Sequence, residues 1–166
     1  MCVLEPPGST GIGAPAITGL QSGCIVAFAV EPRDKWRIAY SFIEGDNAHR
    51  TADCKYIDCN GSVNISPTVT VGKRVCILWE SNAGNGRRIY SCIVDRQDSG
   101  EVQRISSEKT NSYNPAVVAL TDDFLFAAWD SIRDKSADIY GAWFRSGRWQ
   151  KERRITWDVR IERHPS

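Results

Sequence analysis

The sequence carries no excess of charge of either sign. Its 21 Lys and Arg stand against 20 Asp and Glu, a formal net charge of +1. That balance leaves no electrostatic footprint for a nucleic acid or an anionic membrane surface. No apolar run approaches the roughly 18 residues that a membrane-spanning helix needs. The opening stretch, MCVLEPPGSTGIGAP, lacks a basic segment followed by an apolar one. No signal peptide is therefore expected; the chain reads as soluble and its compartment stays unassigned. No window shows a helical period of apolar residues. Disorder is excluded as well, because apolar residues make up 42% and charged residues only 25%.

Zinc-type cysteine spacing is also lacking. There are six cysteines, enough for a disulfide framework, but 166 residues can bury a core without one. Cys24, Cys76 and Cys92 alternate within apolar runs and read as buried thiols. Cys54 and Cys59, in CKYIDC, are spaced for a local bridge or a metal. Their x4 interval is not the common C-x2-C, and no second His/Cys pair follows, so no metal is assigned.

What the sequence does have is a repeat. DIYGAWFRSGRWQKERRIT (138–156) and RIYSCIVDRQDSGEVQRIS (88–106) share one rhythm of short apolar runs around a Ser-Gly turn. Pro15, Pro67, Pro115 and Pro165 recur at spacings of 52, 48 and 50 residues. An aromatic residue closes the second apolar run of each unit: Phe28, Trp79 and Trp129. Eleven residues later come Ala39, Tyr90 and Tyr140, each after an Ile (Ile38, Ile89, Ile139). Ile57, Ile105 and Ile155 precede the last three prolines by ten. Each unit holds four strand-sized pieces, in the third PAVVAL, FLFAAW, DIYGAWF and ERRIT, separated by turn formers.

A four-stranded antiparallel meander of about fifty residues cannot bury both faces alone, and stacking copies around an axis solves this. The expected fold is all-β, three β-propeller blades. The expected parts are a tail (1–14), blade 1 (15–66), blade 2 (67–114), blade 3 (115–164) and the start of a truncated fourth repeat (165–166). A β-sandwich of a dozen strands is the alternative, but it predicts no fifty-residue phase.

The pattern P-A-V-V, F-A-A-W-D, D-I-Y-G-A-W-F, G-R-W, E-R-R-I-T resembles blades of sialidase-like and TolB-like six-bladed propellers. The resemblance covers 15–166 and is strongest in the third unit. It implies a fold, half of a six-bladed ring, and no activity. The sialidase F/Y-R-I-P motif is missing. FRSGRW lacks the aspartate of the Asp-box S-x-D-x-G-x-x-W. No catalytic residue and no cofactor are assigned.

The variable parts are the loops after each second strand: EPRDKW, ESNAGNGRR and DSIRDKSA. If all blades point one way, these loops gather on one face, where binding residues concentrate. The candidate ligand-binding residues are Arg33, Trp36, Glu80, Arg87, Asp130 and Arg133, with Lys35, Asn82, Asn85 and Lys135 nearby. Arg133 could grip a carboxylate or pair with Asp130, Asp134 or Asp138. Trp79 and Trp129 read as packing between blades, and His49 and His164 as solvated. The expected function is a non-catalytic binding or interaction module, its ligand a carbohydrate or an anion. The alternative is a glycan-active hydrolase or lyase completed by a partner chain or by further blades. A convergent set of carboxylates around one pocket would favour the enzyme. Three blades leave two open end faces, so a homodimer closing a six-bladed ring, or the rest of a longer propeller, is the expected partner.

Overall fold

The computed structural model describes residues 9–32, 34–44, 53–133 and 136–157. All regular structure among them is antiparallel strand, and the fold is all-β. The first sheet contains β1 (Ser9–Ile12), β2 (Ala16–Leu20), β3 (Gly23–Pro32), β4 (Arg37–Glu44) and β5 (Lys55–Tyr56). The second contains β6 (Asn64–Val71), β7 (Val75–Ser81), β8 (Arg88–Val94) and β9 (Gln103–Arg104). The third contains β10 (Asn111–Thr121), β11 (Phe124–Arg133), β12 (Ser136–Arg145), β13 (Arg148–Trp149) and β14 (Arg153–Arg154). Each sheet is a meander in chain order, and β1 and β2 together take the place that β6 and β10 fill as single strands. The three sheets are successive blades of one repeat.

The repeat's landmarks become its joints. Phe28 lies opposite Ala39, Trp79 opposite Tyr90, and Trp129 opposite Tyr140 across the second and third strands. The N–H groups of Ile57, Ile105 and Ile155 donate to the carbonyls of Ile38, Ile89 and Ile139 at 2.9, 2.9 and 2.8 Å. This bond ties the short outer strand to each sheet. Pro67 and Pro115 sit inside the first strand rather than before it. The pairing slips there, between Ile65 and Thr68 and between Tyr113 and Ala116, as a residue without an N–H requires.

Side chains alternate between two faces of each sheet. The front of a blade meets the preceding blade and the back meets the next. One core joins Ile25, Ala27, Ile38 and Tyr40 on the back of blade 1 to Val75, Ile77, Trp79 and Cys92 on the front of blade 2. A second joins Cys76, Leu78, Ile89 and Ile105 to Leu125, Ala127, Trp129 and Phe144. Trp79 and Trp129 are fully buried in these junctions. Each ring removes enough apolar surface from water to be worth about 4 kcal/mol. First strands of neighbouring blades pack against one another, whereas the short outer strands make no comparable contact. The blades therefore converge at their first strands and splay at their fourth.

One expectation about cysteine changes. Cys76 and Cys92 are buried, but Cys24 is only half-buried, on the front of blade 1. Cys54 and Cys59 are not bridged to each other.

Candidate functional site

The convergence of first strands makes a cleft of about 420 Å³ between blades 2 and 3. Ile65, Ser66, Glu80, Arg87, Tyr113, Asn114, Asp130 and Ile132 line it. Glu80 and Asp130 end the second strands of their blades, both on the back face and both buried. Arg87 closes the loop that follows β7. All three were singled out as loop-face candidates, and the fold brings them to one cavity.

Asn114 links the two carboxylates. Its backbone N–H donates to Glu80 Oε1 at 3.0 Å, and its Nδ2 donates to Asp130 Oδ2 at 2.8 Å. Arg87 donates from a guanidinium nitrogen to Glu80 Oε2 at 2.9 Å. Both oxygens of Glu80 thus accept N–H bonds, one from each blade. Ser66 and Asn114 have φ of 52° and 51°. A residue before proline is normally held in extended conformations, so this backbone is strained in the way that functional sites often are. The strain is what turns the Asn114 N–H across the junction to Glu80.

The loop between β7 and β8 is fixed rather than adaptable. Asn82 Oδ1 accepts from the N–H groups of Ser62 and Val63 at 3.0 and 2.9 Å. Tyr90 donates its hydroxyl to the Ala83 carbonyl at 2.9 Å. Asn111 Oδ1 accepts from the Arg87 N–H at 3.0 Å. A Cβ on Gly86 would stand 2.3 Å from that oxygen, at a φ of 95°. Arg88, buried beneath the loop, donates to the carbonyls of Asn85 and Glu108. The polar residues of ESNAGNGRR chiefly hold the loop's own backbone, and hold Arg87 in place.

The other candidates lie elsewhere. Trp36 is half-buried against β1, where a Cβ on Gly11 would come 3.1 Å from its ring. Its carbonyl accepts from Asn64 Nδ2 at 3.0 Å. Arg133 lies over the Tyr140 ring, 3.5 Å from its centroid, and donates to Glu152 Oε1 at 2.6 Å. That partner is not among the aspartates expected from the sequence; Asp138 is paired with Arg154 instead. Arg33, Lys135, Asp134, His49 and His164 lie outside the described residues.

Sequence reasoning missed Asn114, Tyr113 and Ser66. One signal was available: the residue before each repeat proline differs from unit to unit (Ala14, Ser66, Asn114, His164). Among the described residues no group of three or more His, Cys, Asp or Glu could hold a metal ion. Among the described residues, two carboxylates and one guanidinium line the cleft. It offers acceptor oxygens to hydroxyl donors. Two carboxylates at one cavity could also serve acid–base chemistry.

No protein-family model matches the sequence. No curated protein matches it either. Among solved structures the chain is similar to an α-L-arabinofuranosidase from Podospora anserina in complex with cellotriose. The identity is 12% and the TM-score 0.40, over 91% of this chain and 71% of that one. A likeness of that degree transfers no residue role, blade number or activity to this chain.

Proposed function

We propose that this protein is a non-catalytic binding module whose cleft between blades 2 and 3 takes a polyhydroxylated, carbohydrate-type ligand. The supporting observation is the double anchoring of Glu80. One N–H bond to each oxygen, from Arg87 and from Asn114, fixes the orientation of Glu80 and leaves a lone pair on each oxygen for a ligand hydroxyl. Glu80 is a rigid acceptor wall. Asp130, also anchored to Asn114, faces the same cavity. Tyr113, Ile65 and Ile132 add apolar surface on which the C–H face of a sugar can lie. The acceptor oxygens of Glu80 and Asp130 suit hydroxyl donors, which favours a neutral glycan over the anionic ligand that the loop composition suggested.

The test is a nuclear magnetic resonance titration with neutral and uronic-acid oligosaccharides. Neutral sugars should shift resonances of residues lining the cleft. Asp130→Asn, which exchanges an acceptor oxygen for a donor, should weaken binding at least about tenfold, the loss of one charge-assisted hydrogen bond. Shifts confined to surfaces remote from the cleft would overturn the reading. The enzyme reading has one observation in its favour, the convergence of two buried carboxylates. Hydrolysis of aryl glycosides that disappears in both Glu80→Gln and Asp130→Asn would establish it and displace the binding module.

A further inference from the structure

Apart from Trp157, beyond the last strand, the large apolar side chains that remain exposed among the described residues fall on the two end blades. None lies on blade 2. On blade 1 they are Ile12 and Ile17, opposite Val30 and Val26 and so on the front of the first strand. On blade 3, Val118, Leu120, Ile132 and Ile155 share the back, which Phe126 and Trp143 continue as a tilted pair 4.2 Å apart.

The same positions are covered at the two internal junctions. The repeat isoleucine at the outer strand is 1% exposed in blade 1 and 7% in blade 2, where the next blade lies over it. In blade 3 the equivalent Ile155 is 40% exposed. Thr70 on the back of blade 2 accepts a hydrogen bond from the blade 3 Ala119 N–H at 3.0 Å. Its counterpart Val118 is 48% exposed. Val69, on the front of blade 2, is buried, and its counterpart Ile17 is 66% exposed. The back of blade 3 thus has the pattern of a junction that lacks its next blade, and the first strand of blade 1 that of one lacking its preceding blade. Continuity with the two junctions present identifies what each face fits.

We infer that a second copy of this chain supplies both, the first strand of its blade 1 seating on the back of blade 3. Val26, Phe28 and Val30 are already buried, so the contact on blade 1 falls on Ile12 and Ile17. A two-fold axis repeats the contact and closes six sheets into one ring without an edge, within the usual range of blade number. Association of this kind covers an apolar patch that a soluble monomer seldom tolerates. Back-to-back pairing of two blade 3 faces is disfavoured, because Arg145, Lys151 and Arg153 beside Trp143 would then face their own copies.

Sedimentation of the full chain at micromolar concentration should give twice the chain mass. Ile17→Lys and Val118→Lys alter side chains that are exposed in the monomer, so circular dichroism should stay unchanged and melting should fall only by what association contributes. Each should weaken association at least about tenfold, while the surface control Glu101→Lys should not. Mixing the two variants should restore a dimer, since one of its two junctions is then unmodified. A wild-type monomer, an open-ended series of oligomers, or a dimer broken by Val118→Lys but indifferent to Ile17→Lys would each overturn the proposal.

Discussion

β7 and β11 are the same strand of the same repeat, yet β7 is buried along its whole length, whereas β11 alternates between half-exposed and buried from Phe124 to Trp129 and is continuously buried only over Trp129, Asp130 and Ser131. In β11 the front residues Leu125, Ala127 and Trp129 are covered, while Phe124, Phe126 and Ala128 on the back are half-exposed. The strands do not differ in their capacity to be buried, since VCILWES and FLFAAWD are both predominantly apolar. They differ in having a blade on both sides or on one. Burial in a stacked repeat belongs to the neighbour as much as to the residue. On the front of blade 1, β3 is buried through most of its length and the exposure is confined to the first strand, at Ile12 and Ile17.

The largest contrast to break is between the two tryptophans. Trp79 donates its indole N–H to Asn64 Oδ1 at 3.1 Å, and Asn64 in turn holds the Trp36 carbonyl. In blade 3 a serine, Ser112, stands in Asn64's place, and the buried Trp129 indole N–H has no hydrogen-bond partner among the described residues. Trp79→Ala should cost about 3–5 kcal/mol, since it opens a cavity in the core. Trp129→Ala should cost about 1 kcal/mol less, because it strands no partner. Denaturant titration of the pair measures the gap, and equal losses would show that the Asn64 link contributes nothing.

The second contrast is chemical. Burial pushes the Cys59 thiol up from 9.0 to about 11 and the Cys92 thiol up to about 12, and raises Cys76 as well. A thiol whose folded pKa lies above its unfolded value contributes stability that is complete below pH 9. That contribution is lost as pH rises through 11 and 12. Melting temperature should therefore hold up to about pH 9 and fall steeply above it. Cys24 and Cys54 should react with a thiol reagent at neutral pH well before these three. Uniform labelling of all five would contradict the burial.

A third comparison uses the repeat isoleucines. Ile105→Ala should cost about 2–4 kcal/mol, as a buried truncation does. Ile155→Ala, half in solvent, should cost under about 1 kcal/mol in the monomer. Smallest of all is Trp→Phe, which keeps most of the ring. At position 79 it leaves Asn64 Oδ1 unpaired and should cost about 1 kcal/mol more than at position 129, where it removes an unpaired donor.

The repeat was legible because its landmarks are physical joints. Ile57, Ile105 and Ile155 recur because each closes the same bond to Ile38, Ile89 or Ile139. Trp79 and Trp129 recur because each fills a junction. Glu80, Arg87 and Asp130 were legible as residues of one loop face, but not as one cleft. Their meeting depends on Asn114, whose left-handed backbone before Pro115 no pattern of apolar residues reports. Trp36 and Arg133 show the reverse. Both look available in sequence, and both are engaged, by β1 and by Glu152 nineteen residues away, contacts that exist only after folding.

The central claim is that the exposed back of blade 3 is an interblade face without its neighbour. Amide hydrogen exchange compared between β7 and β11 tests it most directly. In the Val118→Lys variant, expected to be monomeric, β11 should exchange faster than β7. In the wild type at concentrations where it is dimeric, β11 should slow until the two strands match. A gap between β7 and β11 that is the same in both proteins, at every concentration, would contradict the account.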